Sequence, residues 1–183
     1  QKCPARFHGK TQAGFCWQVM QNTEVLIVGA GPVGLGLAVD LGRRGVPSLV
    51  VEQGDGTFEF PRANAVNVRT MELCRRWGVA DDVRAEAIPP DYPHTAVYLT
   101  SLAGYEVGRV DRAGHGGDKP SQFSPEQPQR CNQMYFDPIL RRRAESFPHV
   151  EMRYFTRFEK FTQQPDKVIA EIADVATGDV DRV

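Results

Sequence analysis

Six residues constrain this chain more than any others. Gly29-Ala30-Gly31-Pro32-Val33-Gly34 satisfies the pattern GxGxxG and stands between two segments of different periodicity. Before it, Glu24 to Val28 is a short, β-branched apolar run that ends abruptly in glycine, the pattern of a strand buried on both faces. After it, Val33, Leu37, Ala38 and Leu41 recur at helical spacing, and Gly45 offers a stop. Ser48 to Glu52 reads as a second strand. Two apolar strands joined by about a dozen helical residues require a right-handed crossover and run parallel.

The glycine pattern alone is weak, because glycine is common. Its context, with a strand before it, a helix after it and Glu52 closing the second strand, makes it a dinucleotide fingerprint. Gly29 permits the tight turn, Gly31 lets backbone N–H groups approach a pyrophosphate, and Gly34 lets helix and strand pack closely. The helix N-terminus adds roughly half a positive charge toward the phosphates. Glu52 is placed to accept hydrogen bonds from ribose hydroxyls and would repel a 2′-phosphate. Residues 24 to 52 are therefore expected to hold the ADP half of a dinucleotide. These spacings do not separate NAD from FAD.

Composition excludes other classes. Lys and Arg number 22 against 23 Asp and Glu, so no basic excess draws in nucleic acid by counterion release. No apolar run approaches the roughly 18 residues that cross a bilayer, and residues 1 to 19 lack a basic region followed by an apolar core. No membrane partner is expected, and the location expected is cytoplasmic. Cys3, Cys16, Cys74 and Cys131 are widely spaced without a CxxC pair, and His8, His94, His115 and His149 have no metal-ligand spacing. No metal site is expected, Cys74 reads as buried filler on a helix face, and no Ser/His/Asp set is arguable. Met20 stands just before the first strand and reads as the natural start, with residues 1 to 19 an added or mis-assigned leader, and the segment set apart from the domain as leader or non-native extension runs over 1–22.

Beyond the loop Gln53 to Pro61, Val68 to Trp77 reads as a helix with Met71, Cys74 and Trp77 on one side, ended by Gly78. Ile88 to Pro93, with three prolines, is a linker. Thr95 to Thr100 and Tyr105 to Val110 flank Ser101-Leu102-Ala103-Gly104 as a hairpin. Asp111 to Gln129 is a long loop. Phe136, Ile139, Leu140 and Ala144 mark a helix whose opposite face is Arg141, Arg142 and Arg143. It should begin near Met134, because Pro138 is tolerable only in a first turn. Strands near Val150 to Phe155 and Val168 to Val175, a turn at Thr177-Gly178 and a strand starting near Asp181 read as antiparallel. The chain thus stops in mid-hairpin, which points to truncation.

Two further stretches carry a resemblance. Pro61-Arg62-Ala63-Asn64-Ala65-Val66-Asn67-Val68-Arg69-Thr70-Met71-Glu72-Leu73, followed by Arg76-Trp77-Gly78, resembles the second helix region of the flavin-dependent aromatic hydroxylases. These are the group A monooxygenases related to phenol hydroxylase, dichlorophenol hydroxylase and p-hydroxybenzoate hydroxylase. Gln133-Met134-Tyr135-Phe136-Asp137-Pro138-Ile139-Leu140 resembles the segment in which a glutamine of that family touches the flavin cofactor. With the glycine fingerprint, three ordered motifs span residues 24 to 145.

The resemblance implies an α/β fold, a Rossmann-like FAD-binding βαβ unit with antiparallel β insertions of the p-hydroxybenzoate hydroxylase type, incomplete at its C-terminus. It implies FAD as cofactor, NADH or NADPH as transient reductant, O₂ and a phenol-like aromatic substrate, with hydroxylation through a flavin C4a-hydroperoxide. The cofactor-binding residues it implies are Gly29, Gly31, Pro32, Val33, Gly34, Glu52, Gln53, Arg62 and Gln133. Arg62 would reach the pyrophosphate or ribityl region, where a guanidinium matches phosphate oxygens with two donors. The competing readings are a solvated loop arginine for Arg62, a helix-start cap for Gln133 and a salt-bridged helix face for Arg69. Asn64 stands where some family members carry an acidic residue or histidine, and an amide cannot act as a general base. No catalytic residue is assigned, and the family's later Asp-Gly and Gly-Asp motifs do not occur here. Residues 23–92 are expected to form the FAD-binding unit and its following helix, 93–114 a hairpin of the substrate-domain sheet, and 115–183 a loop, helix and meander. The readings set against this are another FAD oxidoreductase of the same cofactor fold, such as a halogenase or reductase, an NAD-linked dehydrogenase, and a non-catalytic nucleotide-binding fragment. The aromatic substrate and the oligomeric state stay open.

Overall fold

The apolar run before the glycine turn forms β1 (Val25–Val28), followed by α1 (Pro32–Arg44) and β2 (Ser48–Val51). This computed structural model describes residues 22–57, 60, 62–89, 92, 95–111 and 122–183. The readings of residues 1 to 19, of Met20, Pro61, His8, His94, His115, Cys3 and Cys16, and of the middle of the long loop lie outside them. Next come β3 (Ala65–Val66), α2 (Val68–Trp77), α3 (Ala80–Glu86) and the hairpin β4 (Thr95–Leu99) with β5 (Glu106–Asp111). Then β6 (Gln129–Arg130) leads into α4 (Gln133–Glu145), and β7 (Val150–Arg153), β8 (Thr156–Gln163), β9 (Val168–Asp174) and β10 (Val180–Arg182) complete the described elements.

The expected βαβ unit forms. β1 and β2 are parallel, with Ile27 opposite Val50, and β7 joins the far edge of β2, also parallel, with Val50 opposite Met152. This corrects the antiparallel reading of Val150 to Phe155. A four-residue apolar run carries no signal of direction. The run also breaks where Phe155 adopts φ +51, turning the chain into β8, a strand the sequence reading did not pick out. The antiparallel expectation holds for β9 and β10, and β8 pairs antiparallel on the other side of β9.

Three layers result. Side chains alternate across a strand, so β2 turns Val50 toward the helices and Leu49 and Val51 toward the meander, where they meet Ile172 and Phe158. All four β2 residues are buried, which is why that strand has an unbroken small and apolar run. β1 and β7 are the two edges of the described three-stranded sheet and Val28 is 56% exposed, so the two-faced burial expected of β1 belongs to the central β2 instead.

The helices depart from expectation in informative ways. Leu35, Ala38 and Val39 of α1 face the core, while Val33 and Leu37 stay exposed. Gly36 and Gly42 stand where a Cβ would crowd Trp77 and Phe147, so the small-residue side of α1 can turn inward. Helix α3 was not anticipated; it places Ala80 and Val83 in the core. Pro138 sits inside α4, not in its first turn. Its missing N–H and ring clash cost a helix about 3 kcal/mol, outweighed here by burial of Phe136, Ile139, Leu140 and Ala144. Nor is the arginine face of α4 purely solvated. Arg143 Nε donates to the Trp77 carbonyl at 2.9 Å, and Arg141 donates to the Gly56 carbonyl.

The far end of the long loop is anchored. Glu126, 1% exposed, accepts from Arg75 at 3.3 Å and from Arg84, and Ser124 donates to Glu72 at 2.8 Å. At the start of α2 the Asn67 Oδ1 accepts the Thr70 N–H at 2.8 Å. Asn67→Ala should therefore lower stability by about 1 kcal/mol, the usual value of such a cap, read as a shift in the urea midpoint without a change of slope.

Candidate dinucleotide site

The glycine turn is fixed from both sides. Gly29 takes φ +99, a conformation side chains rarely adopt, and its N–H donates to the Val51 carbonyl at 2.8 Å. A Cβ on Gly29 or Gly31 would meet no atom within 4 Å, so the space beside both is open to a ligand. At Gly34 a Cβ would run into the Gly29 carbonyl oxygen. Helix α1 starts with Pro32 and has no side-chain cap and no acidic residue in its first turn. Helix α2, by contrast, is capped by Asn67. The positive end of α1 is thus left facing the open side of the turn, the arrangement that suits an anion.

Glu52 ties the turn to the end of β2. Its Oε2 accepts the Ala30 N–H at 2.9 Å and its Oε1 accepts the Gly54 N–H at 2.9 Å. Each carboxylate oxygen accepts more than one bond, so capacity remains toward the cavity of about 210 Å³ that Glu52 lines with Gly29, Gln53, Thr156, Arg157 and Phe158. The last three come from β8 and had no signal in the sequence, because they reach the site only through the meander's return. Arg157 is paired with Glu159 at 2.6 Å.

On the other side of the α1 N-terminus lies a cavity of about 160 Å³, lined by Pro32, Asn64, Thr70, Cys131, Gln133 and Phe136 among others. Here two expected residues meet. The Arg62 N–H donates to Gln133 Oε1 at 3.2 Å, and the Gln133 N–H donates to the Ala63 carbonyl at 3.0 Å. Gln133 Nε2 donates to Asp137 Oδ2 at 3.1 Å. The Gln133 side chain does not cap α4, which removes that competing reading. Arg62 itself is exposed, as is Asn64. Arg69 pairs with Glu72 at 2.8 Å on the outer face of α2, the structural alternative weighed for it.

Asp137 escaped the sequence reading, since a polar residue at helical spacing looks like a solvated face. It is 1% exposed. Burial pushes its carboxyl up to about 6, against the hydrogen bond from Gln133 and the charge of Arg141. Arg141 also lies over the Tyr154 ring at 5.1 Å, so α4 secures the loop that follows Glu52. Burial raises the thiols of Cys74 and Cys131 to about 12 and about 11, which leaves both protonated at neutral pH and agrees with the reading of Cys74 as buried filler. A further cavity, about 440 Å³, lies between α1 and α2 and reaches Phe136 and Leu140 of α4. Its Asp40 and Arg76 pair with each other at 3.0 Å, and Asp40 also accepts from the Trp77 indole at 3.1 Å. Among the described residues no group of three or more His, Cys, Asp or Glu is placed to hold a metal ion, and no helix is long and apolar enough to cross a membrane.

The FAD binding domain family matches residues 22–183. Phenol 2-monooxygenase of a Pseudomonas sp. is 33% identical over 160 residues, covering 86% of this chain and 26% of that protein. The 2,4-dichlorophenol 6-monooxygenase of Cupriavidus pinatubonensis is 31% identical over 161 residues, covering 86% and 27%. The rebeccamycin biosynthetic enzyme RebC with reduced flavin superposes with a TM-score of 0.79 at 38% identity, over 90% of this chain and 31% of that one. The flavin-dependent monooxygenase PieE, in complex with FAD and substrate, gives 0.75 at 34% identity, over 88% and 28%. The chain spans about a quarter to a third of the length of these proteins.

Proposed function

The chain belongs to the FAD binding domain family, and from that premise we propose that it is the ADP-binding part of an FAD-dependent, NAD(P)H-consuming monooxygenase that hydroxylates a phenol-like aromatic compound. The observation that carries this is the uncapped N-terminus of α1, facing a glycine turn that Glu52 holds by the Ala30 N–H. In this reading Gly29, Gly31, Pro32, Val33 and Gly34 form the backbone cradle of the pyrophosphate. Glu52 accepts the ribose hydroxyls, with Gln53 beside the adenosine. Arg62 reaches the pyrophosphate or ribityl region, and Gln133 hydrogen-bonds the cofactor. Open space at Gly29 and Gly31, and cavities on both sides of the turn, fit an elongated ligand of this kind. When bound, FAD supplies the redox chemistry, taking reducing equivalents from NAD(P)H and activating O₂ for transfer to the ring. This chain's own residues bind and orient it.

The β4–β5 hairpin, with Tyr98, Leu102 and Tyr105 exposed, is assigned to the substrate-domain sheet. A cytoplasmic location follows from the need for NAD(P)H. The test is direct. The purified protein carrying this chain should be yellow, and its oxidation of NAD(P)H should accelerate with the right phenol and yield hydroxylated product. A colourless protein that FAD does not reconstitute would sink the cofactor assignment. Stoichiometric hydrogen peroxide without product from any phenol would make it an oxidase or another flavoenzyme.

A further inference from the structure

Gln133 and Asp137 stand four residues apart on α4 and share one helix face. Gln133 donates to Asp137 Oδ2 and accepts the Arg62 backbone N–H, while Asp137 Oδ1 has no hydrogen-bond partner among the described residues. A glutamine amide is almost symmetric in shape but not in chemistry, since turning it over exchanges an acceptor for two donors. One end here meets a backbone N–H, which only donates. The other meets a carboxylate, which only accepts. A reversed amide would set N–H against N–H and carbonyl oxygen against carboxylate, so a single orientation satisfies both ends.

We propose that Asp137 is a positioning residue for the cofactor site. Its carboxylate fixes the Gln133 amide so that Oε1 holds the Arg62 backbone and the second Nε2 hydrogen is left for the occupant of the cavity of about 160 Å³ that Gln133 lines. The clip extends further. Gln133 also donates its backbone N–H to Ala63, and just beyond it β3 pairs with β6, Ala65 opposite Arg130. Residues 62–66 are thus carried on 129–133, and the fixed amide secures the Arg62 end. The proposal rests on the FAD reading above.

The groups facing Asp137 are Gln133 and Arg141 on α4 and the Cys131 thiol just before the helix, which burial pushes up first and the charges of Glu86 and Asp137 push further. Because its folded value, about 6, lies above the ordinary carboxylate value of 3.8, its contribution to stability is present below that value and lost as pH rises through about 6. At neutral pH the ionised group burdens the fold. Stability alone does not account for it; orientation of the amide does.

In the FAD-loaded protein, Asp137→Asn should weaken FAD binding about tenfold, the worth of one hydrogen bond. The thermal midpoint of the apoprotein at pH 8 should stay level or rise. Wild-type affinity for FAD should fall as pH is lowered from about 8 to 5 through the Asp137 range, and the variant's profile should be flat. Equal affinity of variant and wild type, or a loss that follows a lowered thermal midpoint, overturns the positioning role and leaves the cofactor reading intact. A flat wild-type profile overturns it as well, without any variant having to fold. Failure of both proteins to take up FAD overturns the cofactor reading and this proposal with it.

Discussion

Gly34→Ala should cost about 3 kcal/mol of stability and abolish FAD retention. The added Cβ would meet the Gly29 carbonyl oxygen, with the Gly29 carbon at 3.2 Å and Ile27 Cγ2 at 3.3 Å close behind. None of these gives way easily. Gly29 is anchored to Val51 and its neighbour Ala30 to Glu52, so the strain falls on α1. Lifting α1 from β1 opens the packing of Leu35, Ala38 and Val39, all fully buried, and swings the helix N-terminus away from the turn. Urea unfolding of the apoprotein, with flavin absorbance of the purified protein, reads both consequences. Gly108→Ala, where a Cβ meets nothing within 4 Å, serves as the near-neutral control. Wild-type stability and normal flavin content in Gly34→Ala would mean that close packing of α1 on β1 does not shape the site.

Glu52→Gln should weaken FAD binding by roughly 2–3 kcal/mol and, separately, destabilise the apoprotein by roughly 1–2 kcal/mol. The two losses have different origins. Toward the ligand, the substitution removes a charged acceptor. Within the protein, Glu52 accepts from Ala30 on one oxygen and from Gly54 on the other, whereas glutamine has a single oxygen and must turn its NH₂ toward one of those N–H groups. Titration of the apoprotein with FAD measures the first, and denaturant unfolding without FAD measures the second. An unchanged dissociation constant would remove Glu52 from the site. An unchanged unfolding midpoint would mean that the turn stands without it.

The site was legible where chemistry depends on local spacing. Gly29, Gly31, Gly34 and Glu52 are set by two adjacent strands, one turn and one helix, and they stand at the turn and the strand end that their spacing predicts, while their contact with a cofactor is our proposal. Arg62 and Gln133 entered only through family resemblance, each as a cofactor contact, and the link between them across 71 residues, a backbone N–H to the amide oxygen, comes from the structure alone. Thr156, Arg157 and Phe158 were invisible, because strand β8 is largely exposed and polar and reads locally like a loop. The start expected for α4, near Met134, lies within one residue of Gln133, but Pro138 stands beyond the first turn, where the lost hydrogen bond is outweighed by four buried side chains.

By itself, then, the sequence determined the βαβ unit, because a glycine turn between a strand and a helix leaves few backbone geometries open. Periodicity also set the extents of α1, α2 and the β4–β5 hairpin closely. Tertiary structure alone decided which face of α1 turns inward, that β7 runs parallel beside β2, and that Asp137 is buried beneath Gln133. Those outcomes depend on closest approach between elements far apart in the chain. A spacing rule sees which residues can share a face, but only packing fixes which face is covered and what stands opposite each polar atom.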